Sequence, residues 1–307
     1  MTEPLLIDAH EDLAWNMLSF GRDYTMPASE TRLREQGSQA PELNGDTLLG
    51  WSDYQRGMVA IIFSTLFVAP ERRRLGGWDH QCYATIDEAH TLYSKQLEAY
   101  ERLTDEHADM FHKIEKQADL QAILAHWERQ DTEQHPVGLV ILMEGAEGVR
   151  DPAEVEDWYQ QGVRIIGPAW TGTRFCGGTR EPGGLTKEGY ALLERMAEFH
   201  LTLDLSHMDE KAALQALDSY PGAIIASHAN ALSLLKESTS NRHLTDRVIQ
   251  GLLERNGTIG IVPSNSFLRP GWKETGGRAS VSLDLMVAQL DYICQVAGNA
   301  LHVGIGS

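Results

Sequence analysis

From Val137 to the end of the sequence, short apolar runs of strand length alternate with helix-length stretches, and this alternation constrains the fold more than any other feature. Strands are expected at 137–144, 163–168, 201–206, 223–227, 258–263 and 301–306, and helices at 153–161, 186–199, 209–219, 244–255 and 282–297. Pro221-Gly222 and Asn256-Gly257 punctuate passages from helix to strand. Asp209 stands where an N-cap belongs, and Leu244 or Thr245 marks the next helix start. Two earlier apolar runs, Leu5–Asp12 and Met58–Val68, bring the expected strand count to eight. Eight strands separated mainly by helices predict an α/β fold, the (β/α)8 TIM barrel, in one domain over 1–307. An open doubly wound sheet is the runner-up, but no Gly-x-Gly-x-x-Gly follows any of these strands. Between the first two strands, Ser19–Gly50 reads as a long polar loop that a barrel would place over its site mouth. Helices are expected at 80–105 and 106–129, and His80, His90, His107, His112 and His126 are assigned to helix surface or packing.

Composition narrows the function. At 42% hydrophobic, 307 residues can bury a sizeable core, yet no apolar run nears the ~20 residues of a membrane span. Met-Thr-Glu-Pro lacks the basic region and apolar core of a secretory signal, so the chain reads as cytoplasmic. A net charge of −18 argues against nucleic acid and anionic membranes as partners. Cys82, Cys176 and Cys294 are widely spaced and read as free thiols, Cys176 as a bystander near the site.

The expected strands end in a recurring way. Leu5-Leu-Ile7 leads to His10 and Asp12, two residues apart and therefore on one face of a strand. Ile141-Leu-Met143 runs into Glu144, Leu203-Asp-Leu-Ser206 into His207, and Ile224-Ile-Ala-Ser227 into His228. His-x-Asp alone does not specify a metal site. In a parallel barrel, however, the C-terminal strand ends all meet at one face. Five ligands then converge: His10 and Asp12 can hold one ion, His207 and His228 a second, with Glu144 between them. Imidazole and carboxylate without thiolate favour zinc, with manganese or cobalt as substitutes, and paired ions activate water for hydrolysis.

Several further pieces carry a family likeness. Asp8-Ala-His-Glu-Asp12, Glu144-Gly145, Gly162-Val-Arg164, Asp204-Leu-Ser-His207, Ser227-His228 and Asn241-Arg242 with Leu244-Thr-Asp246 occur in order over nearly the whole chain. In these the sequence resembles the zinc-dependent dipeptidases related to renal (membrane) dipeptidase, peptidase family M19, within the amidohydrolase-like barrels. The resemblance implies two zinc ions, with His10 and Asp12 on one, His207 and His228 on the other, and Glu144 bridging. It also implies that Arg242 contacts the substrate carboxylate, which its planar fork can take bidentately.

Three departures stand out. Trp170 occupies the place where mammalian members carry a histidine that helps bind the scissile carbonyl, so it bears on substrate and subgroup. Ser264-Asn265 falls where many relatives have an aromatic residue. The family motif continues from Gly304-Ile-Gly-Ser307 with a proton-handling aspartate, which would lie just beyond Ser307, so the chain is expected to be truncated after strand eight. The expected activity is hydrolysis of a small dipeptide substrate. An N-acyl amino acid or lactone hydrolase and a non-catalytic metal-binding member are the alternatives, and a homodimer is the assembly left open.

Overall fold

The computed structural model describes residues 4–129 and 131–307. All eight expected strands are present, numbered here in chain order: β1 (Leu6–Glu11), β2 (Val59–Phe67), β3 (Val137–Glu144), β4 (Val163–Gly167), β5 (Thr202–Asp204), β6 (Ile224–Ile225), β7 (Ile259–Ile261) and β8 (Val303–Ile305). The chain divides into two compact units. One comprises Met1–Ile7 and Asp12–Ile141, the other Asp8–Glu11 and Leu142–Ser307.

In the second unit each strand lies beside its sequence neighbour. β4 pairs in parallel with β5 (Ile166 opposite Leu203), and β5 with β6 (Asp204 opposite Ile225). A parallel bridge from Ala226 to Ile259 leads on to β7, which pairs with β8, and β8 pairs with β1 through Ile305 and Asp8. Gly145 N–H donates to Gly167 O at 2.9 Å, tying the end of β3 to that of β4. Sequential parallel neighbours that return to the first strand are the order of a (β/α)8 barrel. Two glycines permit one close approach here. A Cβ at Gly260 would lie 1.9 Å from the Ser227 carbonyl oxygen, and one at Gly306 would lie 2.0 Å from the same atom. Gly260 on β7 and Gly306 just beyond β8 therefore let both strands close against the strand end that carries His228.

Helix boundaries follow their caps. Lys187–Glu198, Glu210–Ser219 and Asp246–Glu254 begin at Thr186, Asp209 and Thr245, whose side chains accept from Gly189 N, Lys211 N and Val248 N. Each buries an apolar stripe, such as Leu192, Leu193 and Met196.

In the first unit the hydrogen-bonded order is β3, β2, then the start of β1, where Leu6 N–H donates to Met58 O. Ala60, Ile61, Ile114, Ile123 and Trp127 form a buried cluster there. Three expectations change. The helix expected from 80 begins at Ile86, because Thr85 and Glu88 form a reciprocal capping box. The stretch expected as one helix over 106–129 holds a strand, Phe111–Lys113, and a helix, Gln117–Trp127. Phe111 is fully buried and pairs opposite Val137, a tertiary gain that local helix preference does not match. Accordingly His112 sits on a strand and His80 in a loop, while His90 and His126 lie on helices and His107 ends one. Finally, Ser19–Gly50 contains two helices, Ala28–Arg34 and Ala40–Asn44. Its charges are partly internal: Arg22 donates to both oxygens of Glu35, at 2.8 and 3.2 Å, and to Gly45 O at 2.7 Å. Among the described residues, no helix is long and apolar enough to cross a membrane.

Candidate metal centre

Four of the expected ligands come together in the second unit. Glu144, at the end of β3, presents Oε2 to His10 Nε2 at 2.8 Å and Oε1 to His207 Nε2 at 2.9 Å. His228 Nε2 lies 3.7 Å from Oε1 and 3.0 Å from His207 Nε2, and the His10 and His228 rings stack with centroids 3.7 Å apart. All four side chains are buried. Asp12 belongs to the first unit, where Thr65 Oγ1 donates to its Oδ1.

Each imidazole is oriented through its other nitrogen. His10 Nδ1 is 2.6 Å from the main-chain oxygen of Ser307, and Asp8 Oδ1 accepts from both His10 N–H and Ser307 N–H. His207 Nδ1 is 3.1 Å from Thr179 Oγ1. His228 Nδ1 is 2.8 Å from Ser227 Oγ, whose hydroxyl donates to Asp204 Oδ2. Asp204 Oδ1 accepts from the main-chain N–H of Ser206 and of Ser227, so that carboxylate locks the ends of β5 and β6 together. An imidazole that gives Nδ1–H to such acceptors keeps its Nε2 lone pair for a ligand. His207 also holds a backbone φ of +68°, a left-handed conformation that non-glycine residues adopt rarely.

Electrostatics agree with neutral donors at His207 and His228. Burial, joined by the nearby Arg242 charge and partly opposed by Glu144, takes His207 down to about 4. Burial and the charges of His10 and Arg242 push His228 well below the usual imidazole range. Burial would raise the Glu144 carboxyl, but its contacts with His10 and His207 outweigh it and hold the group well below the carboxylate range. Two neutral Nε2 atoms 3.0 Å apart, both beside a carboxylate oxygen, set lone pair against lone pair. A cation between them turns that repulsion into coordination. The donor atoms of His10, Glu144 and His228 all lie within 4.8 Å of one another, and their nitrogen and oxygen chemistry fits a divalent ion.

The membrane dipeptidase family model (peptidase family M19) matches residues 1–307. The chain belongs to this family. An uncharacterized protein of Acinetobacter calcoaceticus is 30% identical over 176 residues, 54% of this chain and 54% of that protein. An uncharacterized dipeptidase of Schizosaccharomyces pombe is 27% identical over 181 residues, 55% of this chain and 41% of its own length. The matches thus span about half the length of these curated relatives or less. A metallo peptidase from Rhodobacter sphaeroides, liganded with a phosphinate mimic of the dipeptide L-Ala-D-Ala, superposes with a TM-score of 0.74 at 22% identity. That likeness covers 99% of this chain and 85% of the other, and it establishes the (β/α)8 barrel fold. Metal ions are implied by the metallopeptidase family, and the histidine–glutamate cluster is where this chain offers ligands.

Two further expected residues border the cluster. The half-buried Trp170 places its ring 6.1 Å from that of His207. Arg242 is 5% exposed, donates from Nη2 to His228 O at 2.7 Å, and stacks its guanidinium 5.1 Å from the Phe267 ring centroid. Its Nε and Nη1 are buried and make no hydrogen bond. Burial takes this guanidinium down to about 10, although Glu144 and Asp204 pull the other way.

Sequence reasoning did not single out Thr179 or Phe267. Thr179 sits at the turn of an antiparallel hairpin, Cys176–Gly178 with Glu181–Leu185, that leaves the barrel after β4. The signal for it is the pair of double glycines, Gly177-Gly178 and Gly183-Gly184, bracketing a short turn. Phe267 belongs to the four-residue helix Asn265–Leu268 and has no comparable signal. Asn230 places it, accepting from Val262 N–H and donating to the carbonyl oxygens of Val262 and Phe267. Cys176 is buried, and burial pushes its thiol up to about 12, which suits a packing role.

Proposed function

We propose that this protein hydrolyses dipeptides with two bound divalent cations, zinc first, with manganese or cobalt as substitutes. The observation that carries the reading is the Glu144 carboxylate, with one oxygen at His10 and the other shared by the closely spaced Nε2 atoms of His207 and His228. A carboxylate placed that way suits a bridge between two ions. His10 would serve one ion, joined by Asp12 on the strength of its place two residues further on, and His207 and His228 would serve the other. When bound, such a pair supplies an acidified water and electrophilic pull on a scissile carbonyl.

The chain's own residues account for substrate handling. Arg242 commits one Nη2 hydrogen to His228 O and leaves Nε and Nη1 without acceptors. The second Nη2 hydrogen with either of those nitrogens forms a fork for an incoming anion, which the C-terminal carboxylate of a dipeptide provides. Phe267 supports the guanidinium plane, and Trp170 offers an apolar wall beside His207. The dipeptide mimic bound to the Rhodobacter sphaeroides relative supports the same substrate class.

The test is metal analysis of the zinc-loaded protein together with rates on a dipeptide, its N-acetylated form and a lactone. Two ions per chain and cleavage confined to the free-amine dipeptide are expected. Faster turnover of the N-acetylated compound or the lactone would transfer the reading to that class. Two ions without any turnover would leave a metal-binding protein.

A further inference from the structure

The hairpin after β4 makes one contact that the ligand set does not explain. Thr179 Oγ1 lies 3.1 Å from His207 Nδ1 and 3.4 Å from His207 O. A hydroxyl that donates to the carbonyl and accepts from Nδ1–H satisfies both contacts and permits only the Nδ1–H tautomer. The hairpin is itself held by one side chain. Asn241 donates from Nδ2 to Gly178 O and to Asp209 Oδ2, both at 3.0 Å, and its Oδ1 accepts from Arg180 N–H at 2.9 Å. Those bonds use the amide's oxygen and both its N–H groups, and they reach the residues on either side of Thr179. Arg180 holds a φ of +65°, an uncommon conformation for a residue with a side chain, and the Asn241 bond secures its N–H there. Gly178 also bridges to Met208, the residue after His207, and Asp209 N–H donates to Gly177 O.

We propose that Asn241 clamps the hairpin turn so that Thr179 holds His207 with its Nε2 lone pair aimed at the metal centre. The two are positioning residues: Thr179 acts through His207, and Asn241 acts through Thr179. The clamp rests on the metal-binding reading of His207 and adds to it a cost that can be measured without turnover. Outer-shell partners of metal-bound histidines typically control about 10- to 100-fold in metal affinity.

The experiment titrates the metal-free protein with Co2+, followed by its visible absorption, and with Zn2+ against a chromophoric chelator. Thr179→Val keeps the shape and removes the hydroxyl, and it should weaken one of two bound cations about 10- to 100-fold. Thr179→Ser keeps the hydroxyl and should stay within about threefold of wild type. Asn241→Ala should weaken the same cation, and the double variant should lose no more than the worse single one, because both act through one bond. Thermal melts of the metal-free variants check that the losses are not unfolding. If Asn241→Ala does not fold, the Thr179 pair decides alone. Wild-type affinity in Thr179→Val, an equal loss in Thr179→Ser, or losses that multiply in the double variant would each overturn the clamp. A wild-type protein that takes up no cation would overturn the metal reading, and the clamp with it.

Discussion

Arg242→Lys separates charge from geometry at the position proposed to read the substrate carboxylate. In the wild type, Arg242 Nη2 is committed to His228 O, while Nε and Nη1 are buried without acceptors. Nη2 carries a second hydrogen, which with Nη1 or with Nε offers a planar fork to two carboxylate oxygens. Lysine has a single nitrogen, which cannot serve His228 O and both substrate oxygens in that plane. At least one charge-assisted hydrogen bond is lost, at about 1.5–3 kcal/mol, which is roughly ten- to more than hundredfold in affinity. The assay is kcat/KM for a dipeptide and for the same dipeptide amidated at its C-terminus. Wild type should favour the free acid strongly, and the lysine variant should lose most of that preference while its rate on the amide changes little. The Tm should move by no more than about 4 °C, since the positive charge is kept and 1 kcal/mol corresponds to about 2–4 °C in chains of this order. An undiminished preference for the free acid would show that another group holds the carboxylate.

Three other outcomes follow from the same geometry. Glu144→Gln places an amide NH2 against an imidazole lone pair and should reduce metal content to at most one ion per chain, with a larger loss of turnover than the ~10–100-fold of an outer-shell change. Two ions and unchanged turnover would remove Glu144 from the bridging role. Gly260→Ala would put a Cβ 1.9 Å from the Ser227 carbonyl oxygen and must displace the strand end bearing His228. Such overpacking costs about 1–3 kcal/mol or more, so thermal unfolding should show a Tm several degrees lower; an unchanged Tm would contradict the packing of β7 on β6. Chelation should lower the Tm because it leaves the His207 and His228 lone pairs facing each other, and zinc at about 100 times its Kd should restore about 2.7 kcal/mol. Equal melts with and without metal would count against the centre.

Much of the barrel is legible in the sequence because its signals are local. Apolar runs of strand length, capping residues such as Asp209 and Thr245, and breakers such as Asn256-Gly257 each act within a few residues. The residues of the candidate centre were legible for the same reason: His10, Glu144, His207 and His228 each stand just beyond or at the end of an apolar run. The sequence by itself therefore determined the eight barrel strands, the residue types at their ends and the family. It misread the strand Phe111–Lys113 and the helices within Ser19–Gly50, where three-residue pairing and the buried Arg22–Glu35 ion pair oppose local appearance. Tertiary structure alone decided which nitrogen each histidine presents, through contacts that no local window contains. Ser307 reaches His10 across 297 residues of sequence, Thr179 reaches His207 across 28, and Phe267 lies under Arg242. Such bonds exist only after the strands have closed in register, since a hydrogen bond needs its two atoms placed within a few tenths of an ångström, and sequence spacing sets no such distance between remote segments.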